Sequence, residues 1–194
     1  MQQGKRTKRE QHAAKAGNDT PSGAPAVRLC QGTLEIMTER SSTFADVSIR
    51  PARAGDADAV RACVLAAFAH YIVRIGKPPA PMLADYPSLI AAGRVWIAER
   101  QAETIGVLVQ YETDGGFYIE TVAVHPRHHG TGAGRALLQF AEREAVRRGF
   151  ASVHLCTNSR MTENQVLYPK IGYVEYDRRT EAGYDRVFYR KALG

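Results

Sequence analysis

Val122-Ala-Val-His-Pro-Arg-His-His-Gly130-Thr-Gly132-Ala-Gly134-Arg-Ala-Leu-Leu138 is the stretch on which the reading of the chain turns. An apolar strand ends at Pro126, three alternate glycines follow, and an amphipathic helix begins inside the glycine run. Glycine lets the backbone aim its N–H groups at one point, and a helix N-terminus adds about half a positive charge there. The product is a cradle for phosphate oxygens. Its spacing is G-x-G-x-G, where a Rossmann dinucleotide site has G-x-G-x-x-G after its first strand. No Lys-Ser or Lys-Thr follows Gly134, so it is not a P-loop either. Taken alone, a plain glycine-rich turn stays open as an alternative.

Upstream, Val47 to Arg50 alternates as a short strand, and Ala54-Gly55-Asp56 is a turn and helix cap. Val60, Val64, Ala67 and Phe68 fall at helical spacing, predicting a helix that runs to about Arg74. Pro78-Pro79-Ala80-Pro81 breaks it, and residues 83–92 can form a second short helix. Residues 94–100 and 104–111 read as an antiparallel hairpin, and residues 117–124 as a fourth strand after the turn at Asp114-Gly115-Gly116. Downstream, the helix of about 132–148 carries Leu137, Leu138, Ala141 and Ala145 on one face and stops at Gly149. Residues 152–156 form a strand, 163–171 a helix ended by Gly172, and 173–179 with 184–191 a closing hairpin. Strands, helices and hairpins mixed in this way predict an α+β fold with a mixed sheet.

The chain has 194 residues with 44% hydrophobic and 24% charged side chains, which suits one domain plus an appendage and excludes a fibrous or wholly disordered protein. No apolar run approaches the ~18 residues of a transmembrane helix. Residues 1–46 open with Lys5, Arg6, Lys8 and Arg9, then turn rich in Gly, Pro and polar residues. They are expected to be a disordered basic and polar tail, either an interaction arm or a solvated extension from a start upstream of Met37. The domain is expected to span 47–194. Three cysteines, Cys30, Cys63 and Cys156, give no CxxC pair and no disulfide framework. The basic N-terminus lacks the apolar core of a secretory signal, so a reducing cytoplasm is the expected compartment. The net charge is +6, but residues 47–194 scatter nineteen Lys and Arg among fifteen Asp and Glu, which argues against nucleic acid and suits an anionic cofactor.

In this context the glycine segment resembles the acetyl-CoA-binding motif of the GNAT superfamily of N-acetyltransferases, a strand and Pro-containing turn followed by Gln/Arg-x-x-Gly-x-Gly/Ala. Here that motif maps onto His129-Gly-Thr-Gly132-Ala-Gly134, with His for Gln or Arg at the first position. Val47-Ser-Ile-Arg50-Pro-Ala with Asp56 looks like the family's opening strand and helix. Leu167-Tyr168-Pro-Lys-Ile-Gly172-Tyr173 looks like its late Tyr-x-x-x-Gly-Phe signature, with Tyr173 for Phe. The resemblance covers about Val47 to Leu193. It implies a mostly antiparallel sheet with splayed central strands, flanked by about four helices.

The resemblance implies acetyl-CoA as co-substrate and no metal. Backbone groups of Val122 and Val124 would pair with the pantetheine arm, and the amides of His129, Gly130, Thr131, Gly132, Ala133 and Gly134 would hold the pyrophosphate. Tyr168 would be the general acid, because family members commonly place this hydroxyl beside the CoA sulfur. Asn164, four residues earlier on the same helix face, could bond a pantetheine amide. The family often has Asn seven residues before the Tyr, and Met161 stands there. Asn158 is a weaker alternative, otherwise a strand-end turn.

Glu120 is the expected general base: two and four residues before Val122 and Val124, it shares their face by strand alternation. It could relay an amine proton directly or through water, or bind the substrate ammonium. His125, His128 and His129 lack metal-ligand spacing. Cys156 is expected to be a small apolar residue and not a nucleophile. Tyr71, Tyr86, Trp96, Tyr118 and Tyr184 include candidate walls of an acceptor pocket, with the Pro-rich Tyr71–Tyr86 segment in the family's variable acceptor region. The expected activity is acetyl transfer from acetyl-CoA to the primary amine of a small molecule, by direct attack in a ternary complex. Its rivals are a non-catalytic acyl-CoA-binding module and an acetylase of a protein or RNA-associated target. A homodimer is compatible with the resemblance, and a membrane partner is not expected.

Overall fold

The computed structural model describes residues 47–194. The expectation of a disordered tail over 1–46 lies outside the described residues.

Seven strands form one sheet in the order β1-β2-β3-β4-β5-β7-β6. They are β1 Ser48–Pro51, β2 Val95–Arg100, β3 Glu103–Thr113, β4 Gly116–Val124, β5 Ser152–Asn158, β6 Val174–Glu181 and β7 Tyr184–Ala192. Every neighbouring pair is antiparallel except β4 and β5. The helices are α1 Ala57–Phe68, α2 Tyr71–Ile75, α3 Tyr86–Ala91, α4 Ala133–Arg147 and α5 Thr162–Lys170. The expected α+β class with a mixed, mostly antiparallel sheet describes this architecture, with five helices in place of about four.

A helix or sheet buries one face, so a sheet with two apolar faces needs cover on both. Here α4 covers one face, packing Leu137, Leu138 and Ala141 on Ile105, Leu108, Phe117 and Leu155. On the other face, α1 and α3 bring Val60, Val64, Tyr86 and Ile90 onto Val107, Val109 and Ile97. Strand β3 lies between the two, which is why residues 105–110 are buried without alternation. Gly106 has no room for a side chain between α4 and β4: a Cβ there would lie 3.0 Å from Leu137 Cδ1 and 3.1 Å from the Ala123 carbonyl oxygen. The edge strand β1 is fastened by Arg50, whose guanidinium donates to Asp56 (2.7 and 3.0 Å) and Glu99 (2.7 Å).

Two helix boundaries differ from the sequence reading. The helix predicted to reach Arg74 stops at Phe68, and a turn at 69–70 separates it from α2. After that break Tyr71 is buried with its ring 6.2 Å from Phe68. The short helix predicted over 83–92 starts at Tyr86, because Asp85 caps it by accepting the Ser88 N–H at 3.2 Å.

Two features of β4 create the site. First, β4 and β5 pair only from Phe117–Val153 to Ile119–Leu155 and then part. Second, Val109 faces Thr121 while Gln110 faces Ile119, so Glu120 is the extra residue of a β-bulge. The bulge reverses the strand's parity. Phe117 and Ile119 belong to the α4 face before it, and Val122 and Val124 belong to that face after it.

Candidate active site

The separation of β4 from β5 opens two cavities, of about 460 and about 750 Å³, that share Phe68, Val122, Asn164 and Tyr168 as wall residues. The larger one runs from this junction to the glycine loop and Arg135. The smaller one is walled by Tyr111, Tyr118, Glu120, Cys156, Arg186 and Phe188. Over it lies the Pro-rich loop: Tyr184 donates its hydroxyl to the Pro78 carbonyl (2.7 Å), and Lys77 donates to the Gly183 carbonyl (2.6 Å). The Lys77 ammonium also stands 4.0 Å over the Tyr184 ring, so the strap is held to the β6–β7 hairpin by three contacts.

The glycine loop has the form a bound anion needs. Gly130 and Gly132 take φ of +75° and +86°, and Gly132 caps α4 with no side chain to satisfy its first N–H groups. Two amides of the expected set are committed inside the loop: His129 N–H donates to the Pro126 carbonyl (3.2 Å) and Thr131 N–H to the His128 carbonyl (3.4 Å). The donors left for a phosphate are therefore those of Gly130, Gly132, Ala133 and Gly134, with Arg135 as the next. His129 contributes differently from a side-chain phosphate ligand. Its Nε2 meets the Val124 carbonyl at 2.9 Å and ties the loop to the end of β4. Arg135, which the sequence reading passed over, follows the last glycine directly, and its position in the motif is the signal that could have found it.

His125 N–H donates to the Ile105 carbonyl (2.9 Å). Antiparallel alternation then turns the backbone of Val122 and Val124 away from β3, toward the side β5 has left. The Val124 carbonyl is taken by His129, leaving the Val122 N–H and C=O and the Val124 N–H as an open strand edge. An edge of this kind suits an amide-bearing chain. Together with the glycine cradle, the residues fit a CoA-type cofactor.

Tyr168 is buried on α5, with its ring 5.7 Å from Tyr173 and 5.3 Å from Tyr189. Burial, then the neighbouring Cys156, raises its hydroxyl pKa above the ordinary tyrosine value, so it carries its proton at neutral pH. Asn164 donates Nδ2 to Thr157 Oγ1 (2.9 Å), and Met161, at the position where the resemblance expects Asn, is buried with its sulfur accepting from Thr157 (3.5 Å). Asn158 accepts the Arg160 N–H at 2.9 Å, a strand-end turn.

The structure does not give Glu120 the face expected of it. The bulge sends its side chain to the face opposite Val122 and Val124, where its charge acts on Tyr111 and Tyr86. There Glu120 is, after burial, the next cause that raises both tyrosine pKa values, Tyr111 to about 12. Glu120 nevertheless lines the smaller cavity, the one the strap covers. Cys156 is not a plain apolar residue: its sulfur lies 3.2 Å from the Tyr118 hydroxyl and 3.0 Å from Arg186 Nη1. Arg186 comes from β7, thirty residues downstream, and no local pattern marks it. Of the other aromatic candidates, Tyr118 and Tyr184 line this cavity, while Tyr86 is core with its hydroxyl on the Pro81 carbonyl (2.8 Å). Trp96 packs on Phe140 of α4 at 4.7 Å.

Among the described residues no group of three or more His, Cys, Asp or Glu is placed to hold a metal ion. No helix among them is long and apolar enough to cross a membrane.

Residues 91–175 match the family described as Acetyltransferase (GNAT) domain. No curated protein matches the chain in sequence. The fold is similar to that of the PaiA N-acetyltransferase from Thermoplasma acidophilum, solved in complex with coenzyme A (14% identity, 75% of this chain and 98% of that one, TM-score 0.63). It is also similar to the ribosomal-protein-S18-alanine N-acetyltransferase of Escherichia coli (18%, 76% and 94%, TM-score 0.61). A third similar structure is that of yncA from Salmonella typhimurium, solved with its cofactor acetyl-CoA (20%, 77% and 95%, TM-score 0.59).

Proposed function

We propose that this chain, which carries a GNAT acetyltransferase domain, transfers the acetyl group of acetyl-CoA to the primary amine of a small molecule, both being bound at once. The observation that carries this reading is the meeting of two cavities at Phe68, Val122, Asn164 and Tyr168, one leading to the glycine cradle and the other roofed by the strap. When bound, acetyl-CoA supplies an activated thioester. The amides of Gly130 and Gly132–Gly134 hold its phosphates, and the free edge of Val122 and Val124 orients its arm. Tyr168, protonated and at the junction, donates its proton to the departing sulfur. Glu120, in the acceptor cavity, takes the proton of the attacking amine, directly or through water. A cavity of about 460 Å³ beneath a docked loop favours a small acceptor over an extended peptide. Free thiols at Cys63 and Cys156 fit a reducing cytoplasm.

Calorimetry with acetyl-CoA and release of free CoA thiol across an amine panel test the reading together. Binding without transfer to any amine would reduce the protein to an acyl-CoA-binding module, and no binding at all would remove the reading.

A further inference from the structure

The acceptor cavity carries both signs of charge in places that do not neutralise each other. Glu120 makes no ion pair among the described residues, and the groups its charge acts on are Tyr111 and Tyr86. Across the Tyr118–Cys156 contact stands Arg186, its side chain only 21% exposed. Its Nη1 is spent on the Cys156 sulfur at 3.0 Å, and a thiol is a weak acceptor. Its Nε is buried without a hydrogen bond. The nearest carboxylate, that of the half-exposed Glu181, stops 3.6 Å from that nitrogen. Arg179, the other cation in the wall, is already engaged by Asp177 and stacks 3.8 Å from the Phe188 ring.

A guanidinium recessed in a cavity with an unfilled N–H is a site for a planar anion that takes two of its donors at once. We infer that the acceptor is an amino acid or a close analogue: its ammonium is drawn to Glu120, its carboxylate is bound by Arg186, and Tyr118, Tyr111 and Phe188 enclose the body between them. This rests on the acetyltransferase reading above and narrows its substrate class from any small amine to a zwitterion. It also gives the Tyr118–Cys156–Arg186 contact a purpose, since it holds the guanidinium in place before substrate arrives.

The test compares the full chain's kcat/KM, at saturating acetyl-CoA, for L-amino acids, their carboxamides and the matching decarboxylated amines. The wild type is expected to prefer an acid over both neutral-ended partners by about 10- to 100-fold, the range of a hydrogen bond to a charged group. In Arg186→Met that preference should collapse toward unity, chiefly through KM, and Arg186→Lys should retain part of it. Shielding of Cys156 from alkylation gives a readout without turnover and without a variant. An L-amino acid that is a substrate should protect this thiol in the wild-type protein, while its carboxamide should not. Equal turnover of acid, amide and amine by the wild type overturns the inference and leaves the acetyltransferase reading intact. Acetyl-CoA binding with no amino acid acetylated does the same, and failure to bind acetyl-CoA overturns both.

Discussion

Asn164 donates from its side-chain amide to the Thr157 hydroxyl at 2.9 Å, tying the first turn of α5 to the end of β5. Thr157 passes its own proton to the Met161 sulfur at 3.5 Å, so three residues lock the helix where Tyr168, one turn further on, enters the cavity junction. Replacing Thr157 by Val keeps the shape and removes the acceptor. Stability should fall by about 1 kcal/mol, and turnover should fall with it as Tyr168 loses its anchor. Thr157→Ser should restore both; thermal melts beside initial rates check this.

Tyr168→Phe keeps the ring and its packing on Tyr173 and Tyr189 and deletes the proton. The turnover rate should drop by about 10- to 1000-fold while acetyl-CoA affinity by calorimetry barely moves. Burial raises the Tyr168 pKa, so the wild-type rate should show no loss from its ionisation near pH 10, the ordinary tyrosine value. Wild-type turnover by Tyr168→Phe would end its role as the acid.

Glu120→Gln should lower the rate most at acidic pH, where the acceptor is an ammonium that must lose a proton. Raising the pH supplies neutral amine and should recover part of the loss. A Glu120 that only binds the ammonium would instead appear as a raised KM with kcat kept. A pH–rate profile of both proteins separates the two.

Gly132→Val should cost twice. A φ of +86° is disfavoured for any side chain and more so for a β-branched one, so the melting temperature should fall by the equivalent of about 1–3 kcal/mol. The side chain would also crowd the N–H groups at the start of α4, weakening acetyl-CoA binding by about 2 kcal/mol. Calorimetry on the folded variant measures the second effect apart from the first.

Acid should weaken the fold through two carboxylates. The Arg50 guanidinium and the Arg53 N–H hold Asp56 down to about 2, and Arg147 with Arg148 hold Glu144 to about 2. A depressed folded-state pKa contributes stability above the unfolded value of about 4, and that stability is lost as the pH falls toward 2. Melts between pH 7 and 2 should show this slope, and Glu144→Gln should lower stability at pH 7 while flattening part of it.

Much of the fold is legible in the sequence, for a physical reason: strand and helix periods are local, and so is the chemistry of a glycine run. Val60, Val64 and Phe68, the alternation from Phe117 to Val124, and Leu137 and Leu138 behind three glycines fix the element types through their own spacing. Gly130 and Gly132 announce the left-handed turns of the loop because only a residue without Cβ adopts their backbone freely. What alternation could not supply was the face of Glu120. One bulged residue reverses every side chain beyond it, and the bulge is set by how β4 registers against β3, not by its own sequence. The same holds for the partners that give the site its character. Arg186 reaches Cys156 only because β7 pairs beside β5, and Tyr184 meets Pro78 only because the last hairpin folds back over a loop 106 residues earlier. Spacing along the chain carries no information about such contacts; strand pairing and packing create them.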